Sequence, residues 1–154
     1  LDTQRMSAFA ISNRLNNPNS GNTPDFVADT APTGTSTSAT YCTKSIVLET
    51  ASTSLDVRLT SNVRSTSDVK LYFRIIGSED DTTIDKINWT PFNLDGEEDI
   101  TVSPAEDNTT FKEYKYSVSG LKDFTTFQLK IGLTGSTSSY PPIIRDMRAV
   151  ALAV

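Results

Sequence analysis

Three stretches of this chain alternate apolar and polar residues with a period of two, and no stretch of similar length repeats with the period of a helix. In residues 55–63, Leu55, Val57, Leu59 and Val63 fall on odd positions while Asp56, Arg58 and Thr60 face away. In residues 69–76, Val69, Leu71, Phe73 and Ile75 oppose Lys70, Tyr72 and Arg74. Phe127, Leu129, Ile131 and Leu133 alternate with Gln128, Lys130, Gly132 and Thr134, the pattern of a strand with one wet side. Successive strand side chains point to opposite faces, so this spacing specifies sheets with one apolar face each. Residues 65–68 between the first two stretches have turn chemistry, and the pair is expected to form a β-hairpin.

Shorter runs add to the count. Residues 41–49 are expected to form a strand with Cys42, Ile46 and Leu48 on one face, and residues 99–102 a short one. In residues 111–118 Tyr114, Tyr116 and Val118 share a face and read as core. The last fifteen residues hold a proline pair and then a closing strand. From Ala149 onward both of its sides are apolar, so burial on two faces is expected there, with residues 145–148 nearer the rim. A short strand is expected within residues 1–15. About eight strands separated by turn signals fit an all-β, two-sheet antiparallel β-sandwich, jelly-roll-like or immunoglobulin-like. At 154 residues one domain is the default, and a chain of this size buries roughly 70% of its unfolded surface. The sandwich is assigned to residues 40–154. Residues 1–39 hold the N-terminal strand and a long irregular arm, residues 16–38, whose apolar content is little more than Phe26 and Val27. The first residue is Leu1, as expected of a fragment or a processed product.

The chain has no histidine, which removes histidine-based acid–base catalysis, Ser-His and Cys-His nucleophile pairs and the commonest transition-metal ligand. The single cysteine, Cys42, is read as a small hydrophobe buried in a strand, and zinc chemistry is not expected. No glycine-rich phosphate loop is present. The net charge of −5 disfavours nucleic acid, and no apolar run approaches the ~20 residues of a membrane span. Carboxylates cluster at Glu79, Asp80 and Asp81 and at Asp95, Glu97, Glu98 and Asp99. Both clusters read as solvated loops, and residues 95–99 lack the spaced ligand pattern of a calcium loop. No enzyme activity, metal or cofactor is expected. Trp89, Tyr72 and Tyr140 sit at loop or polar-face positions where a flat ring can meet a sugar, although Trp89 also suits a packing anchor under a loop.

The opening LDTQRMSAFAISNRLNNP, the central NWTPFN and FKEYKYSVSG, and the ending YPPIIRDMRAVALAV resemble the C-terminal region of long virion structural proteins of contractile-tailed marine phages, the cyanophage-type myoviruses. The sharpest markers are Asp2, Thr3, Arg5 and Ser7 at the start and Pro141, Pro142, Ile144, Arg145, Asp146, Met147 and Arg148 at the end. The resemblance implies a virion location in tail, baseplate or neck, contacts with other virion structural proteins, and a homo-oligomeric or symmetric assembly. It transfers no functional residue. The polar arm is then the expected partner contact, through Asn16, Asn19, Phe26 and Val27. The alternative is a carbohydrate-binding module that recognises host-surface glycans through Trp89, Tyr72 or Tyr140.

Overall fold

The computed structural model describes residues 4–5, 28–34, 37 and 39–153. It is an all-β sandwich of two antiparallel sheets. The strands are β1 (Gln4–Arg5), β2 (Ala39–Cys42), β3 (Ile46–Ser52), β4 (Ser54–Asn62), β5 (Ser67–Ile76), β6 (Thr90–Pro91), β7 (Lys112–Val118), β8 (Phe124–Gly135) and β9 (Ile143–Leu152). One sheet runs β1-β9-β4-β7 and the other β2-β8-β5-β6, with β3 also on β8. Single 3-10 turns stand at Ile84–Lys86 and Phe92–Leu94.

The alternating residues form the core as expected. Leu55, Val57, Leu59, Leu71, Phe73, Leu129 and Ile131 are all buried, and Tyr114 and Tyr116 join them from β7. Burying one such side chain contributes about 1.5–3 kcal/mol. Phe92 lies between the sheets, edge-on to Phe73 of β5 at 4.9 Å and to Tyr116 of β7 at 6.0 Å. The Tyr116 hydroxyl is buried with no hydrogen-bond partner among the described residues. Burial first, then the carboxylates of Glu98 and Glu97, push its pKa up. An unpaired buried hydroxyl is a liability, so Tyr116→Phe is expected to keep or raise stability, by up to ~1 kcal/mol in urea unfolding. A loss above 1 kcal/mol would mean that the hydroxyl has a partner.

Several local expectations are corrected. β4 and β5 are not a hairpin: β4 pairs with β7 and β9, and β5 with β8 and β6. The chain turns between them from one sheet to the other, and both strands present apolar residues to one core from opposite sides. The strand expected over residues 41–49 is broken at 43–45 into β2 and β3, where Leu129 N–H donates to the Thr43 hydroxyl at 3.1 Å. Residues 99–102 form no strand. There Asp99 N–H donates to the Lys115 carbonyl at 2.8 Å, and its carboxylate accepts from Ser117 N–H and hydroxyl. Cys42 is exposed rather than buried: it ends β2 and alternates with Tyr41, the residue that packs on the core. The wet side of β8 is partly dry, since Lys130 is 2% exposed.

The closing strand pairs with β4 over most of its length, while β1 covers its other edge only at Ile144 and Ile143. Its apolar end is not buried on two faces. Ala149 and Ala151 pack on the core, whereas Val150 and Leu152 are 51% and 47% exposed on the outer face of the sheet. Nothing among the described residues forms a layer over that face, so apolar residues there remain in solvent.

Candidate functional site

Two places concentrate side-chain chemistry. The first is the outer face of the β5–β8 pair. The register sets Tyr72 beside Lys130 and Arg74 beside Gln128, all pointing away from the core. Residues 28–34 and 84–91 lie over them. Trp89 N–H donates to the Thr30 carbonyl at 2.8 Å. Arg74 donates to Gln128 Oε1 at 2.9 Å and to the carbonyls of Pro32 and Ile87, each at 3.2 Å. Lys130 Nζ donates to the Asp29 carbonyl. The Arg74 guanidinium stacks 4.1 Å from the Trp89 ring, and the Lys130 ammonium lies 4.8 Å from Tyr72 and 5.1 Å from Trp89. Gly132 allows this close cover, because a Cβ there would meet the Thr37 methyl at 3.2 Å.

Trp89 and Tyr72 are therefore 4% and 5% exposed, which corrects the expectation of open sugar platforms. Their rings face two cations and a covering segment of the same chain. Desolvation lowers the pKa of Lys130 against the opposing charge of Asp29, and burial pushes Tyr72 up to about 12. Cys42 is exposed as a residue, yet partial desolvation pushes its thiol up, against the pull of Lys130 and Arg74. The region reads as a cation–aromatic clamp that fastens residues 28–34 to the sheet.

The second place is the end of the sandwich where β4, β8 and the starts of β5, β7 and β9 meet. Asn62 Nδ2 donates to the carbonyls of Asp107 and Thr110, each at 2.7 Å, and fixes the loop before β7. An open cleft of about 670 Å³ runs along this loop, lined by Arg64, Ser65, Ser103, Asp107 and Lys112 among others. Arg64 is held from two sides: NH1 donates to Asn108 Oδ1 at 2.7 Å, and the guanidinium lies 4.3 Å over the Tyr140 ring. Lys112 Nζ donates to the Ser103 carbonyl at 2.9 Å and hydroxyl at 3.0 Å. The Asp107 carboxylate accepts from the N–H groups of Thr109 and Thr110 and from their hydroxyls. Those bonds hold its pKa at about 2, so it stays charged. Tyr140, unlike the other two aromatics, is 40% exposed.

A smaller adjoining cleft of about 130 Å³ is lined by Asp68, Glu97, Glu98 and Tyr114 among others. Burial, and then a hydrogen bond with Asp68, push Glu97 up to about 8, with Lys70 at 3.7 Å opposing. A raised carboxyl pKa stabilises the fold at low pH. That contribution is full below the ordinary value near 4.5 and is lost as pH rises through about 8. Glu97→Gln is expected to flatten the fall in Tm across this window and to raise Tm at pH 8.5. An unchanged slope would show that Glu97 does not carry the proton.

The other acidic residues stay apart from any site. Asp80 accepts from Gly77 N–H at 2.7 Å and Lys122 at 2.8 Å, and Glu79 and Asp81 are exposed. Among the described residues no group of three or more Cys, Asp or Glu converges as a metal site. Asn16, Asn19, Phe26 and Val27 lie outside the described residues. Sequence reasoning missed Arg64, Arg74 and Lys130. The available signal was two cations, Arg74 and Lys130, on the polar faces of strands, one of which also carries Tyr72.

No protein-family model and no curated protein matches the chain. Among solved structures it is similar to a chain described as "EclA C-terminal domain; sugar-binding protein", at 12% identity and a TM-score of 0.37, over 96% of this chain and 99% of that one. At that TM-score the likeness carries no argument about fold or function.

Proposed function

We propose that this chain is a non-enzymatic β-sandwich module of a phage virion, in tail, baseplate or neck, that acts through protein–protein contacts. The sequence markers at both ends support the virion assignment. The observation that carries the mode of action is the outer edge of β9. Beyond Ile144 no described strand pairs with it, and its last residues are Ala149, Val150, Ala151 and Leu152. Proteins guard free edges with charge, proline or cover, and an apolar edge left open is a template for a partner strand. Purified particles should contain the chain in a fixed copy number. Val150→Lys with Leu152→Lys should fold yet fail to enter particles; incorporation at the wild-type copy number would sink the edge as a contact.

A second reading has one specific observation in its favour. Tyr140 leaves part of its ring open beside a cleft furnished with Arg64, Lys112 and Asp107, the mixture of flat apolar surface and hydrogen-bonding groups that a sugar meets. This glycan site would stand on Tyr140 and not on Trp89 or Tyr72. A glycan array is its test. Tyr140→Ala and Arg64→Ala should each weaken any binding roughly tenfold or more, and signal that survives both substitutions would remove this reading.

A further inference from the structure

We propose that residues 93–100 form a rigid docking element for a protein partner whose surface offers an apolar socket rimmed by lysine and arginine. The inference rests on the reading of this chain as a virion contact module and names the chemistry of one contact.

The loop is anchored at its middle and near its C-terminal end. Leu71 N–H of β5 donates to the Gly96 carbonyl at 2.9 Å, and Asp99 is fastened to Lys115 and Ser117 of β7. It thus bridges an edge of each sheet. Within it Asn93 and Leu94 take φ of 54° and 70°, the left-handed region. Asn93 is compensated, since its Nδ2 donates to the Glu97 carbonyl at 2.9 Å and to Asp99 Oδ1 at 2.8 Å. Leu94 is not: a branched apolar side chain in this conformation is strained, and it is 94% exposed. Ile100 is 81% exposed. Each follows directly on one member of the Asn93–Asp99 hydrogen bond, so both apolar side chains leave the same small, braced loop.

Neither residue serves the fold. The strain and the exposure are explained together if Leu94 and Ile100 are anchors for a partner. The charges state what that partner is. Asp95, Glu98 and Asp99 crowd the loop, with Lys70 and Lys115 as the neighbouring cations. Like charges oppose the docking of two such loops on each other, so the complementary surface is basic.

The test uses the full-length protein in assembled particles, with the photo-crosslinker p-benzoylphenylalanine placed at Leu94, at Ile100 or, as a control, at Glu79. Cross-links at the first two positions should exceed the control and map to protein segments in which Lys or Arg flank apolar residues. Leu94→Asn with Ile100→Asn should cut incorporation by more than about tenfold while Tm stays level or rises, because asparagine tolerates the left-handed backbone better. No cross-link above control, cross-links to acidic segments, to glycan or to nucleic acid, or incorporation of the double variant at the wild-type level overturns the docking element alone. Absence of the chain from purified particles overturns the virion reading and this inference with it.

Discussion

Phe92→Ala is expected to cost about 3–5 kcal/mol of folding stability. The ring is fully buried and reaches an aromatic residue in each sheet, Phe73 in one and Tyr116 in the other. It enters from a 3-10 turn and not from a strand, so no neighbour in register can slide into the space it leaves. The loss therefore combines lost apolar transfer, two edge-on ring contacts and a cavity. Urea unfolding monitored by Trp89 fluorescence should show a lower midpoint with an unchanged slope. Phe92→Leu, which refills most of the volume, should lose about 1–1.5 kcal/mol. A loss under ~1 kcal/mol for the alanine variant would mean that the sheets close over the site without the ring.

Arg74→Ala should rank second, at about 3 kcal/mol. The substitution strips a hydrogen-bond donor from Gln128 and from the carbonyls of Pro32 and Ile87, and removes the cation from the Trp89 face. Each buried acceptor left without a partner adds to the cost. For a domain of this size the loss corresponds to a Tm lower by roughly 6–12 °C. The same variant should red-shift Trp89 emission, because the segment over the ring is no longer pinned. Arg74→Lys should recover little, since one ammonium cannot reach three acceptors in the plane of a guanidinium. A variant that kept both Tm and the emission maximum would show that residues 28–34 hold their place without the clamp.

Period-two spacing told which residues face the core and left open which strands are neighbours. Val57 and Leu71 were legible as inward, but the same alternation serves a hairpin and two strands in opposing sheets equally well. The difference lies in a few residues of connection after Asn62, whose amide bonds backbone more than forty positions away. Val150 and Leu152 mark a second limit. Apolar character states a tendency to avoid water, and burial also requires something to lie on top. The clamp was the least legible feature, because Lys130 and Arg74 are dry in part through chain about forty to a hundred residues earlier. Tyr140 kept its place beside a cleft since its loop sits at an end of the sandwich, where strands stop and backbone is not shared with a neighbour.

The way the chain weaves between the sheets bears on how it comes to be folded. Among the described strands, six of the eight successive connections change sheet. Strands β8 and β9, which have partners on both sides, are also the last two in the sequence. Few pairings can then form early and locally, and closure of long loops must precede most of the stabilising contacts. Such a topology places the domain among slow folders, with refolding on the millisecond-to-second scale. During synthesis the edge of β5 that pairs with β8 must wait for residues some sixty positions later. For that interval the growing chain carries unpaired strands, and it is then, more than after completion, that it needs protection from aggregation.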